Sequence, residues 1–294
     1  MPKPTTIREF FNLFPSDDAC LEHLFDVRFG QGHVCPKCER GAKWYPLKAE
    51  RAYSCQWCGH HLHPTVGTLF ENSRTPLQLW FYVMFKFTQT RRGVSAKEVE
   101  RELGVTYKTA WRMCKMIREH MAEIDGEDPL GGAGEHVEVD ETMVGGVRRG
   151  KRGRGAAGKT VVFGMLQRGG NVMTHVIPNI RQSTLHPLIE KHIRPETNVH
   201  ADELRSYNGL KELGYNPLRV NHTAKEYVSP EGATVNSIEN FWRHLKSGIK
   251  GTHVWVSPKY LGTYAKEFEY RFNRRNRPET MFSEIVSSYP KRLS

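Results

Sequence analysis

The chain has no long apolar run. Its most hydrophobic stretch, LWFYVMFKF, is too short and too polar at its flanks to span a bilayer, and the opening MPKPTTIREFF has no cleavable signal pattern. The expectation is a soluble, intracellular protein with no membrane partner. Cysteine is scarce, six residues, and four of the six stand in two close pairs, which argues for metal binding before a disulfide scaffold. No internal repeat occurs, and no low-complexity tract outside one basic loop. Acid is in deficit, with 32 Asp and Glu against 43 Lys and Arg for a net charge of +11. That balance points to a polyanionic partner, nucleic acid first.

What is present divides the chain. At 294 residues it exceeds the usual single-domain size, so two domains and a smaller module are expected. Residues 1–32 carry two short helical patterns separated at Pro15 and Ser16, an N-terminal helical hairpin. Residues 33–70 lose that periodicity and hold the cysteines. Residues 71–125 are helical, and SAKEVERELGVTYKTAWRMCKMI breaks at Gly104 and Val105 in the layout of a helix-turn-helix. Its apolar positions pack two helices, with Trp111 expected in the core, while Tyr107, Lys108, Thr109, Arg112 and Lys115 remain to face a DNA groove or, in an ordinary hairpin, solvent. Residues 126–134 are glycine-rich and read as a linker.

Residues 135–294 change pattern. Val137–Val144, Thr160–Leu166 and Val172–Ile177 are β-branched runs joined by glycine-containing turns, and three antiparallel strands are expected. A helix over Thr184–Ile193, a strand from Asn198, a helix over Tyr207–Leu213 and a strand over Leu218–His222 follow. Helices near Val235–Ile249 and Pro258–Asn273 close the domain. This order is that of a ribonuclease H-like α/β domain, a mixed sheet flanked by helices, here preceded by a cysteine module and a helix-turn-helix-like region.

Cys35, Cys38, Cys55 and Cys58 form C-x2-C, sixteen residues, C-x2-C, the spacing of a four-thiolate zinc site. One structural Zn2+ would supply stability that a short polar module cannot draw from a core. His60, His61 and His63 lie close enough to substitute for a cysteine, and redox-active pairs are the alternative.

Three acids stand out. Asp140 ends the first strand run, Asp202 follows the strand at Asn198, and Glu239 lies on a helix whose stripe of Ile238, Phe241, Trp242, Leu245 and Ile249 leaves Asn236, Glu239, Arg243, Lys246 and Lys250 on another face. Singly, each acid reads equally as a turn residue or a solvated partner of a base. Jointly, converging carboxylates can hold hard divalent ions such as Mg2+. Two ions roughly 3.5–4 Å apart clamp the attacking and leaving oxygens of a phosphoryl displacement. Beside Asp140 runs RRGKRGRGAAGK, in which Arg148, Arg149, Lys151, Arg152, Arg154 and Lys159 are suited to phosphates or form a solvated charge run. Arg271, Arg274, Arg275 and Arg277 make a second basic cluster, or an exposed helix end.

In FPSDDACLEHLFDVRFGQGHVCPKC, SCQWCGHHLHPTVGTLFENSRTPL, VEVDETMVGG, NSIENFWRHLKSGIKGTHVWVSPKYL and EFEYRFNRR, the chain resembles the bacterial insertion-sequence transposases with a DDE catalytic domain, of the zinc-ribbon-bearing ISXO-like type. The resemblance implies that Asp140, Asp202 and Glu239 are the metal-binding triad, with 61 and 36 residues between them. Two Mg2+ or Mn2+ ions would serve DNA cleavage and strand transfer at terminal repeats. Asn236 is a rival third ligand, Asp202 stands in a loose motif, and Lys246, seven after Glu239, is placed near the DNA end. The resemblance further implies transposon ends and target DNA as partners, a homo-oligomeric active complex and a cytoplasmic, nucleoid-associated location. A zinc-containing DNA-binding regulator derived from such an enzyme, or a metal-dependent nuclease without strand transfer, are the alternatives.

Overall fold

The computed structural model describes residues 6–47, 49–145, 159–202, 204–220 and 234–289. They fall into two units. The first takes residues up to Thr90, Val94–Ile124 and the segment from Arg277; the second takes Arg91–Gly93 and Asp125–Asn276.

In the first unit, α1 (Ile7–Leu13) and α2 (Asp17–Arg28) begin at Thr6 and Ser16, whose hydroxyls accept the Glu9 and Ala19 amides. Three short strands, β1 (Trp44–Pro46), β2 (Tyr53–Cys55) and β3 (His61–Leu62), pair antiparallel in that order. Next comes α3 (Leu77–Gln89), which buries Leu77, Trp80, Phe81, Val83, Met84, Phe85 and Phe87 and is therefore a core helix, as its nearly continuous apolar sequence demands. Helices α4 (Ala96–Leu103) and α5 (Tyr107–Asp125) meet at Gly104, whose φ of 66° supplies the left-handed cap the tight turn needs. Ser95 caps α4, and Lys86 of α3 pairs with Glu98 at 2.8 Å and with Glu102.

The first unit also contains residues that sequence periodicity assigned elsewhere. Helix α9 (Met281–Ser287), expected within the 135–294 domain, packs on α2 and α3. Phe282 lies against the rings of Phe10, Phe14 and Phe85, and the Ile285 and Val286 carbonyls meet His120 and His23. Trp111, expected in the core, is half-buried.

The second unit is built on a five-stranded sheet. Strands β4 (His136–Val144), β5 (Thr160–Gln167) and β6 (Val172–Ile177) are antiparallel neighbours; after α6 (Gln182–His192), β7 (Asn198–Asp202) and β8 (Asn216–Val220) add in parallel, giving the order β6-β5-β4-β7-β8. The helix expected over Tyr207–Leu213 is one 3-10 turn, Arg205–Tyr207, followed by turns; Gly209 and Gly214, both at positive φ, break it. Helices α7 (Asn236–Gly248) and α8 (Pro258–Asn273) follow, separated by a short π-helical stretch, Ile249–His253.

Alternation along the strands sorts the two faces. Val137, Val139, Phe163, Met165 and Met173 join Leu185 and Ile189 of α6 in one cluster. Val144, Val162, Leu166 and Val172 join Ile238, Phe241, Trp242 and Leu245 of α7 and Leu261, Ala265 and Phe268 of α8 in the other. The sheet is thus covered on both sides. No described helix is long and apolar enough to cross a membrane.

Candidate active site and metal centre

The even-numbered residues of β4 face α7, so Glu138 and Asp140 point the same way. In the parallel register Glu138 stands opposite His200, and two residues further along each strand lie Asp140 and Asp202. Two carboxylates therefore share one face just past the point where the β4–β7 pairing ends: Asp202 is the last residue of β7, whereas Asp140, expected to end its run, stands mid-strand because β4 continues to Val144 alongside β5. Asp140 is pushed up to about 7, by burial first and then by the charges of Glu141 and Asp202. Its Oδ2 accepts a 2.9 Å hydrogen bond from the Trp242 indole, and the Tyr207 hydroxyl donates to Glu141 at 2.9 Å. Asp202 turns the chain behind it by accepting the Leu204 amide at 2.9 Å.

Gly164 makes the Trp242 contact geometrically possible. It pairs with Asp140 across β4 and β5, and a Cβ there would lie 2.6 Å from the Trp242 ring and 3.0 Å from Ile238. Absence of a side chain lets the indole lie over the strand and reach the carboxylate.

Glu138 holds the helix that carries Glu239. Although fully buried, it accepts from the Ser237 and Ile238 amides at 2.9 and 3.0 Å, two of the unpaired donors at the start of α7, and from Arg168 Nε at 3.0 Å. Arg168 also donates to the Thr234 carbonyl at 3.0 Å and to His200 Nδ1 at 3.1 Å. Since His200 Nδ1 accepts from Arg168 and from the Thr234 amide, the hydrogen of this ring sits on Nε2, which donates to His136 Nδ1 at 2.8 Å. Burial, then Arg168 and His136, lower the His200 pKa to about 4 and keep the ring neutral.

Sequence reasoning missed both Glu138 and Gly164. The signal was there for Glu138, because the alternation that puts Asp140 on one face of HVEVDETMV puts Glu138 beside it.

Glu239 is exposed in the first turn of α7, one turn before Trp242; Arg243 and Lys246 are exposed further along the same helix, and the predicted apolar stripe is buried. Asn236 is exposed at the first residue of α7. In the first unit Lys108 and Arg112 are exposed on α5, Arg112 reaching the Glu71 carbonyl at 3.5 Å, while Lys97 lies over the Tyr107 ring at 4.8 Å and Lys115 pairs with Glu119 at 2.8 Å. Arg148, Arg149, Lys151, Arg152 and Arg154 lie outside the described residues, as does Glu203. The second basic cluster is corrected. Arg271 is buried against Glu267 at 2.6 Å, and Arg274 is buried against Asp125 and over the Tyr270 ring at 3.8 Å. Arg275 covers Phe272 and caps the Gly170 carbonyl, and Arg277 lies 3.9 Å from Glu284. Arg271 and Arg274 thus hold the fold together, while Arg275 and Arg277 are exposed, as a helix end would leave them.

Cys35, Cys38, Cys55 and Cys58 converge with all four sulfurs within 4.8 Å, Cys35 to Cys58 at 3.6 Å and Cys38 to Cys55 at 3.9 Å. A Zn–S bond of about 2.3 Å sets tetrahedral sulfur edges at roughly 3.8 Å, so the spacing fits. The two knuckles repeat one pattern. The Cys35 amide bonds the Arg40 carbonyl and the Glu39 amide the Cys35 carbonyl, as Cys55 bonds His60 and Gly59 bonds Cys55. Among the described residues two further groups converge within 4.8 Å, Glu50 with His61 and His63, and Glu127 with His175 and His192; Asp140, Asp202 and Glu239 do not form a fourth.

The second unit thus carries a half-buried carboxylate pair on a two-sided mixed sheet and the first a four-thiolate module, and comparison with known proteins places the chain among transposases. Residues 130–273 match the ISXO2-like transposase domain and residues 15–61 the transposase zinc-ribbon domain. A protein of Halobacterium salinarum described as "Uncharacterized protein in transposable element ISH50" is 27% identical over 279 residues, 88% of this chain and 91% of that protein. An "Uncharacterized transposase-like protein" of Haemophilus influenzae is 32% identical over 102 residues, 35% of this chain and 80% of that protein. The chain belongs to the ISXO2-like family of insertion-sequence transposases, nucleic-acid-cleaving enzymes with a DDE domain and a zinc ribbon.

Proposed function

We propose that the protein binds the terminal repeats of its element and carries out metal-dependent cleavage and strand transfer, with Asp140, Asp202 and Glu239 as the metal ligands. The observation that carries this reading is the Asp140–Asp202 pair on one face of adjacent strands, with Asp140 raised to about 7 by burial first and then by the charges of Glu141 and Asp202, and an indole as a side-chain hydrogen-bond donor. Such a pair calls for a cation. The strand order β6-β5-β4-β7-β8, antiparallel then parallel, supports a ribonuclease H-like catalytic fold.

Bound there, two Mg2+ or Mn2+ ions would supply Lewis-acid stabilisation to the attacking and leaving oxygens of an in-line displacement at phosphorus. Two ions roughly 3.5–4 Å apart need ligands spread wider than one ion does, which suits a Glu239 standing off from the two aspartates. The chain's own work is to place the ligands. Glu138 and Arg168 fix the start of α7, Trp242 orients the Asp140 carboxylate, and Arg243 and Lys246 offer exposed cations to the DNA backbone on the helix that bears Glu239. The basic loop at 148–159 adds charge for phosphates next to β4. The cysteine module, holding one Zn2+, and α5 with Lys108 and Arg112 serve end recognition, and the active complex is a homo-oligomer that pairs two ends.

The test is incubation of the purified protein with labelled element ends and Mg2+. Wild type gives nicked and joined products; Asp140→Ala and Glu239→Ala bind the ends and give neither. Activity surviving in both variants would sink the triad. Binding without nicking in the wild type indicates a regulator, and cleavage without joined product a nuclease.

A further inference from the structure

Away from the acids, on the α6 face of the sheet, lies a group that the transposase reading leaves without a task. We propose that Glu127, His175 and His192 form a second transition-metal site that takes Zn2+ or a similar divalent ion, separate from both the cysteine module and the acidic site.

The three residues come from three parts of the second unit: Glu127 from the segment after α5, His175 from β6 and His192 from the last turn of α6. Each offers one ligand atom, and these lie within 4.8 Å of one another. The His175 and His192 rings stack with centroids 4.6 Å apart, and His192 Nε2 is 4.0 Å from Glu127 Oε2. Ligand atoms around a tetrahedral zinc stand roughly 3.3 Å apart given Zn–N bonds near 2.0 Å, and rotation of the exposed Glu127 side chain closes that gap.

A second observation points to a ligand. His192 is 1% exposed, and neither of its ring nitrogens has a hydrogen-bond partner; His175 Nε2 is also buried and without one. Buried polar groups are nearly always paired, and an ion coordinated by one nitrogen of each of the two stacked rings would satisfy two of these three imidazole nitrogens. The rings are neutral, burial and then Lys266 having lowered His175 to about 4, so each presents a lone pair.

The competing explanation is a plain ion pair, since Lys191 Nζ lies 3.0 Å from Glu127 Oε2. That pair is exposed, it leaves the second carboxylate oxygen available, and it does nothing for the histidine nitrogens. Two imidazoles and one carboxylate suit Zn2+, Co2+ or Ni2+ better than Mg2+, and with three protein ligands the fourth position is open to water or to a further group. The ion would fasten residue 127 to β6 and α6, next to the bridge between Leu130 and Ile193.

The experiment dialyses the full chain against low-micromolar Zn2+ with excess Mg2+ to occupy the acidic site, and measures zinc per chain by mass spectrometry. Wild type should hold about two, one on the four thiolates and one here. His175→Ala/His192→Ala should hold about one. Glu127→Gln, on an exposed residue, should keep its circular dichroism and lose about tenfold or more in affinity for the second ion. With Co2+, a second equivalent added after the four thiolates are loaded should add visible d–d absorption without adding thiolate charge transfer. A wild type that holds only one zinc, or a second equivalent that persists unweakened in Glu127→Gln and in the double variant, overturns the proposal.

Discussion

Replacing Glu138 by Gln isolates what one buried carboxylate does for this catalytic unit. Glu138 Oε1 accepts from Arg168, and Oε2 accepts from the Ser237 and Ile238 amides. Gln preserves the shape but turns one acceptor into a donor. If its oxygen faces α7, the amide nitrogen meets Arg168; if it faces Arg168, two helix amides lose their acceptor. The first arrangement is the cheaper. It forfeits one charge-assisted bond, worth about 1.5–3 kcal/mol, discounted because the Arg168 side chain is 29% exposed and regains water. It also removes a negative charge from a helix N-terminus, worth about 0.5–1 kcal/mol. The sum is a loss of about 2–3 kcal/mol, read as a lower urea midpoint in buffer that leaves zinc in place. Because Arg168 links Glu138 to the Thr234 carbonyl just ahead of α7, loosening it should lower Mg2+-dependent cleavage of element ends more than DNA binding. A variant within about 0.5 kcal/mol of wild type and fully active would refute the positioning argument.

Gly164→Ala sets a methyl 2.6 Å from the Trp242 ring, and the resulting overpacking should cost about 1–3 kcal/mol by thermal unfolding and lower cleavage by moving the indole off Asp140. Asp140 is raised from 3.8 to about 7; the folded state therefore holds a proton that the unfolded state has released. Without divalent ions stability should decline as pH rises from about 4 to 7, by up to roughly 4 kcal/mol from this group, and Mg2+ should bind more tightly across the same rise and flatten the Tm profile. A Tm profile unaffected by Mg2+ would count against a cation at this carboxylate. Arg274→Ala strands Asp125 in a buried setting and should destabilise the second unit by about 3–5 kcal/mol in urea melts, where an exposed DNA-binding arginine would show almost nothing.

Much of the catalytic unit was legible because local pattern and tertiary demand agree there. β6 and α8 begin and end where periodicity placed them, and the stripe on α7 is the stripe that packs. The cysteine spacing was legible for the same reason, since each knuckle is a local turn. What escaped depended on partners far along the chain. Arg274 reads as surface charge until Asp125, 149 positions earlier, is found beside it. Glu138 reads as the polar half of an alternating strand until the start of α7, 99 residues on, supplies its donors. The Tyr207–Leu213 helix failed for a local reason, Gly209 within it and Gly214 just after it, both at positive φ.

The first unit closes with residues made after the second. Phe282 fills a ring cluster begun by Phe10 and Phe14, yet 125–276, the whole second unit save three residues, is translated between them. At about 5–20 residues per second the amino-terminal rings wait on the order of ten seconds for their partner. A fragment ending near residue 124 is consequently an unfinished core with exposed phenylalanines, and isolating the first unit from the second requires joining the two outer pieces by a new linker.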